Sequence, residues 1–172
     1  HALDRRQRQM CIRDSHETVS GPSTDALALR GLRVLAVEQA GVGDRYCLDF
    51  LSSFSEGEGL LVGSSAATLF LVHSETIPST FVPTRPFRVN AGAPHAYVMM
   101  SDGSTKYMAE LETGDSLLAV TTDGTTRGVV LGRIKIEQRP MVKIVGETIN
   151  KTRQNANTCL LYTSDAADDL TR

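Results

Sequence analysis

No apolar run in this 172-residue chain reaches the roughly 20 residues that a membrane-spanning helix needs. Charge of one sign is not in excess: the formal net charge is −2, which gives no electrostatic footing for a nucleic-acid or membrane partner. Long amphipathic helical periodicity is missing, and so is any internal repeat, so a helical architecture has no support. The glycine clusters "GVGDR" and "GEGLLVG" lack the G-x-G-x-x-G spacing ahead of a helix that a dinucleotide fold uses, and read as turns.

Cysteine is scarce, and two of the three sit in tails that do not read as protein. The C-terminal run "CLLYTSDAADD" starts at Cys159, and the N-terminal run "RRQRQMCIRDS" spans Arg5 to Ser15. Back-translating the first and reading the complementary strand one frame over gives CGT CGG CAG CGT CAG ATG TGT ATA AGA GAC. Those codons spell Arg-Arg-Gln-Arg-Gln-Met-Cys-Ile-Arg-Asp, the start of the second run. One inverted duplex encodes both tails, and it resembles a transposase-type sequencing adaptor translated in read-through. Residues 1–15 and 159–172 are set aside as not native, and the four N-terminal arginines are not a basic arm.

The insert is then His16–Thr158, read as one domain or part of one, without a native start or stop. Removing the tails takes away five charges of each sign, so the net charge does not change. Cys47 is the one cysteine left; it cannot form an internal disulfide and fits a reducing, cytoplasmic compartment. It reads as a packed thiol.

The segment up to residue 31 is polar and turn-rich, a linker or truncated start. "LRVLAVEQAGVGDRYCLDFL" predicts two short strands around a Gly-x-Gly-Asp turn, and "SSFSEGEG" a second turn with glycines at 57 and 59. "LLVGSSAATLFLVHSE" predicts strand, tight turn, strand, with a short helix over "SSAATLFLV" as the alternative. Three prolines in "TIPSTFVPTRPF" favour an extended loop or edge. "RVNAGAPHAYVMM" returns to strand, with a hairpin turn at "SDGS". From Thr105 onward, Asp-Gly and Gly-Asp pairs punctuate alternating apolar and charged residues, which predicts antiparallel strands in a meander or small barrel. In "GRIKIEQ", Ile134 and Ile136 point one way and Arg133, Lys135 and Glu137 the other. The fold class is mainly β.

Two stretches hold candidate chemistry. "FLVHSE" places His73 and Glu75 two apart, on one side of a strand. They read either as a metal-ligand or base-and-orienter pair, or as a strand-end His beside a solvated Glu. "TRPFRVNAGAPHAY" gathers Arg85, Arg88, Asn90 and His95, with prolines that stiffen the backbone. The two guanidiniums suit forked recognition of a carboxylate or phosphate, or else ordinary surface salt bridges. Lys106 follows a turn and reads as a surface lysine by default.

Taken in order, "GDRYCLD", "GEGLLVGS", "LFLVHSE", "RPFRVNAGAPHAY", "TKYMAEL" and "GRIKIEQRP" resemble the archaeal-type 3-dehydroquinate synthase, or dehydroquinate synthase II. The resemblance covers about Val34 to Thr158. It departs at "LDFLSSF", where a more Thr/Cys-rich run follows in the family, which leaves assignment at residues 50 to 54 open. It implies a fragment of a larger α/β plus β enzyme, lacking roughly the N-terminal half and a short C-terminal piece. The implied reaction converts an amino-keto acid with NAD into 3-dehydroquinate, ammonia and NADH. On that resemblance, Arg85 and Arg88 take the substrate carboxylate and Asn90 a hydroxyl. His73 or His95 transfers the proton, Glu75 orients a histidine or binds a metal, and Lys106 polarises a carbonyl. The NAD site is not visible, and the chain alone is expected to be inactive. Two other readings stand beside this one. Related 3-amino-4-hydroxybenzoate synthases use a divalent metal instead of NAD, which suits the His73/Glu75 pair. A non-catalytic β-barrel binding module is the reading from another class.

Overall fold

A computed structural model describes residues 26–78, 83–148 and 158–162; the readings for residues 1–25 and 79–82 lie outside the described residues. Strands dominate: β1 (Leu32–Phe50), β2 (Glu58–Ser65), β3 (Thr68–His73), β4 (Arg88–Gly92), β5 (Tyr97–Met99), β6 (Thr105–Tyr107), β7 (Ser116–Thr121), β8 (Thr126–Thr148) and β9 (Thr158–Tyr162). The one helical element among the described residues is the short 3-10 turn Met108–Glu110. All pairings are antiparallel and the sheet runs β4-β1-β8-β7-β2-β5-β6, with β3 added to β2 and β9 to β8. The mainly β, antiparallel expectation holds. The described pairings make an open path with ends at β4 and β6; only β2–β3, β5–β6, β7–β8 and β8–β9 join consecutive strands, so the sheet is neither a simple meander nor, among the described residues, a closed barrel.

The long β1–β8 pair is where the sequence reading needs correction. The predicted Gly-x-Gly-Asp turn does not exist; β1 runs through it, with Gly43 opposite Arg139 and Asp44 opposite Gln138. Gly41 has φ +87° and sits next to a register shift between Gln39 and Gly41. A glycine in the left-handed region bends a strand at a bulge as readily as it closes a turn. β9 lies along β8, Val142 opposite Tyr162. The pairing concerns the backbone and the adaptor assignment concerns codons, so neither bears on the other.

"LLVGSSAATLFLVHSE" forms strand, turn, strand, with Leu61 opposite Leu71 and Ser65 opposite Thr68. The hairpin at "SDGS" also forms, Met99 opposite Thr105, with Gly103 at φ +81°. The core lies under these strands. Leu48, Leu60, Val62, Val89, Leu117 and Leu131 are fully enclosed, and Phe50 meets Phe54 edge-on at 5.2 Å. Arg127 fastens the first loop to this core: its Nε and Nη2 donate to the two Glu58 carboxylate oxygens at 2.6 and 2.9 Å, and Nη2 also to the Ser53 carbonyl at 2.8 Å.

Gly59, read as a turn residue, is instead inside β2, between Val120 of β7 and His73 of β3. A Cβ there would stand 2.0 Å from the Val72 carbonyl oxygen, closer than any packing adjustment of side chains can relieve. Gly59→Ala should therefore lower the unfolding free energy by about 2 kcal/mol or more, measured as a fall in the urea midpoint. An unchanged midpoint would mean that β2 and β3 are not this close.

Candidate functional site

Strand register builds one polar sheet face. Arg88, Asp49 and Arg133 stand side by side across β4, β1 and β8, and Asn90, Cys47 and Lys135 form the next row. Because side chains alternate, Val89, Leu48 and Ile134 take the opposite face and pack into the core. The predicted split of Ile134 and Ile136 from Arg133, Lys135 and Glu137 separates core from site at Ile134, whereas Ile136 lies past the edge of the core and is exposed.

Asp49 anchors the first row. Arg88 donates from Nε to Oδ1 at 2.6 Å and from Nη2 to Oδ2 at 2.9 Å. Arg133 donates to Oδ2 from Nε at 2.8 Å and also from Nη2. Burial alone would raise the Asp49 carboxyl, but the bonds from Arg88 and Arg133 outweigh it and hold the group below its ordinary 3.8. Two residues along β8, Lys135 Nζ meets Glu137 at 2.7 Å and Arg45 reaches the same carboxylate at 2.5 Å. Lys135, then Arg45, pull Glu137 down to about 2.

The second row continues upward into a hydrogen-bonded chain. Cys47 Sγ donates to Asn90 Oδ1 at 3.0 Å, Asn90 Nδ2 to Glu75 Oε1 at 2.7 Å, and Arg85 Nη1 to Glu75 Oε2 at 3.2 Å. Main chain fixes the same contact: Glu75 N–H donates to the Arg88 carbonyl and Arg85 N–H to the Glu75 carbonyl, both at 2.8 Å. Burial pushes the Cys47 thiol up, so it serves here as a neutral donor and packed group, as its sequence context suggests.

Of the seven candidate residues, Glu75, Arg85 and Asn90 meet directly and Arg88 lies beside them. The other three do not join. β3 ends at His73, and the ring is taken up by main chain: Nε2 accepts from Gly57 N–H at 2.8 Å and Nδ1 donates to the Ser74 carbonyl at 2.5 Å. His73 and Glu75 thus share no partner, since the alternation that would put them on one side stops at the strand end. His95 is exposed in the turn between β4 and β5. Lys106 lies on β6, at the far end of the sheet from β4, where Nζ donates to both Asp115 oxygens at 2.8 and 2.9 Å. Among the described residues no group of three His, Cys, Asp or Glu side chains is placed to hold a metal. Asp49 and Arg133 were missed as site residues; the alternation on β8 sets Arg133 on the polar side, and only the register shows that Asp49 faces it.

These features define an antiparallel β domain with a cationic, hydrogen-bonded sheet face. The chain matches the profile of the 3-dehydroquinate synthase II C-terminal domain over residues 31–170, and it belongs to that family. It is 45% identical over 165 residues to the 3-dehydroquinate synthase of Haloarcula marismortui, covering 93% of this chain and 42% of that protein. The 3-dehydroquinate synthase of Methanocaldococcus jannaschii is also 45% identical, over 154 residues, 87% of this chain and 43% of the relative. The chain therefore spans about two fifths of the length of the curated relatives it matches. No solved structure matches it.

The depressed Asp49 carboxyl fixes an acid dependence. A carboxyl lowered in the folded state contributes stability that is complete above its ordinary value of 3.8 and is lost as pH falls through the lowered one. Asp49→Asn should cost about 3–5 kcal/mol at neutral pH, because it leaves the Arg88 guanidinium enclosed without its anion. It should also flatten the acid arm of the stability curve, read from urea midpoints between neutral and strongly acid pH. A variant as stable as the parent, with the same acid arm, would rule the anchor out.

Proposed function

We propose that this chain is part of an NAD-dependent 3-dehydroquinate synthase acting on 2-amino-3,7-dideoxy-hept-6-ulosonic acid. The observation that carries the reading is family membership, with relatives of 45% identity named 3-dehydroquinate synthase. NAD supplies the hydride acceptor. The amine-bearing carbon is oxidised, water replaces the nitrogen as ammonia, and the methyl ketone end closes onto the new ketone as an enolate. The product has the atoms of the oxidised, deaminated substrate and no others, so the ring closure itself needs no further reagent.

The residues of this chain suit the binding and orienting parts of that work. Arg85 is about one-third exposed and, with Asn90, is oriented by Glu75, so keto and hydroxyl oxygens of the substrate have donors in fixed places. The described residues do not fit a pyrophosphate cradle of the strand-to-helix kind, since the 3-10 turn at Met108–Glu110 is too short to offer one. The metal-dependent aromatic synthase reading drew on His73 with Glu75, and with both His73 nitrogens engaged by main chain no observation favours it over the first.

The test joins this chain to the N-terminal portion of the Haloarcula marismortui relative and supplies the amino-keto acid with NAD. The expected outcome is 3-dehydroquinate, ammonia and NADH in equal amounts, and no turnover by the chain alone. A metal-dependent aromatic amine without NADH would favour the second reading, and no product at all the binding module.

A further inference from the structure

The geometry points to Arg133, with Lys135 beside it, as a carboxylate-binding strip that holds the acid end of the substrate. The inference rests on the amino-keto acid reading above and names a binding residue that the motif-based candidates do not include.

Three observations carry it. The first is charge. Two neighbouring sets of ion pairs share this face, Arg88 and Arg133 on Asp49 and Arg45, Lys135 and Arg139 on Glu137, five cations to two anions. That surplus stands in a chain whose net charge is −2, so this face concentrates positive potential where an anion is drawn in.

The second is orientation. The Arg133 side chain is 65% exposed, yet its Nε and Nη2 are fixed on Asp49, which is 8% exposed. Asp49 is itself gripped by Arg88. An exposed arginine normally gives up rotamer freedom when it binds a ligand; here that freedom is already spent, and the bonds to Asp49 leave Nη1 unengaged. Two guanidiniums around one carboxylate leave the triad one positive charge over. Arg88 is the poorer candidate, because its side chain is only 11% exposed and its bonds serve Asp49.

The third is the neighbourhood. Lys135 stands on the same face, about 7 Å further along β8, 47% exposed. Opposite it are Cys47 and then Asn90, whose amide is aimed by Glu75 and Cys47. A carboxylate on Arg133 and Lys135 therefore has a hydroxyl-binding amide two strands away, a spacing that suits a short polyhydroxylated acid.

The test uses the full chain with 3-dehydroquinate as probe, by calorimetric titration. Arg133→Gln should weaken binding at least about tenfold and Lys135→Gln less, with binding falling as salt is raised. Lys143→Gln, at a distant, half-buried cation paired with Glu38, should change nothing. Melting curves confirm folding, and Arg133→Lys keeps the charge should Arg133→Gln fail to fold. No binding by the parent chain, or binding unchanged in a folded Arg133→Gln variant, overturns the inference. So does binding of inorganic pyrophosphate with none of 3-dehydroquinate, which would give the strip to a phosphate. In the fused enzyme, Arg133→Gln should raise KM with kcat little changed. Product formation with unchanged KM sinks the carboxylate site and leaves the reaction standing. Arg133-dependent probe binding without any turnover does the reverse.

Discussion

The Asp49 carboxylate is the point on which the domain turns. It belongs to β1, and its two guanidinium partners belong to β4 and β8, the strands on either side. One buried anion thus ties together three strands whose other faces supply Val89, Leu48 and Ile134 to the core. A buried ion pair is a poor source of net stability, because desolvation offsets most of the attraction. What it does supply is register. A one-residue slip of β1 against β8 would send Asp49 into the apolar core and Leu48 out to the polar face. The triad therefore enforces the pleat on which every cross-strand neighbour in the site depends.

The same register decides which candidate residues share a site. Asn90 falls opposite Cys47 because Arg88 falls opposite Asp49, and Asn90 then reaches Glu75. Glu75 is beyond the end of β3, so it is free to bridge to Arg85. His73 is still within β3 and is consumed in closing the loop at Gly57. Two residues of chain separate a member of the polar cluster from a residue that only braces the fold.

Much of the fold was legible because local signals and the final structure agree. The alternation at Arg133 to Glu137, the Asp-Gly and Ser-Asp-Gly turns and the "LLVG…LFLV" hairpin are all properties of short windows, which sequence reports well. The failures have a common cause. Gly41 and Gly59 looked like turn residues because glycine marks both turns and close approaches, and only the neighbouring strand tells which is meant. Asp49 and Arg88 are 39 residues apart, and nothing in either segment identifies the other. The site was therefore half legible: the arginine-rich motif and Glu75 stand out as residue types, while the anchor that holds them is a consequence of topology.

On the proposed reading, the geometry also says what a sheet face alone cannot do. Enolate chemistry needs the reacting carbons held away from water, in surroundings where a fixed dipole or charge is worth more than it is in bulk solvent. Arg133 at 65% exposed and Lys135 at 47% are placed to capture an acid, not to enclose it. The donors on this face are oriented before any ligand arrives, which favours affinity and positioning; the barrier to ring closure is a different quantity and calls for a covered site. The relatives are more than twice as long as this chain, long enough to lay a second surface over the strip. Capture and enclosure would then be divided between two parts of one enzyme. That division accounts for donors that are fixed in place yet left open on this face.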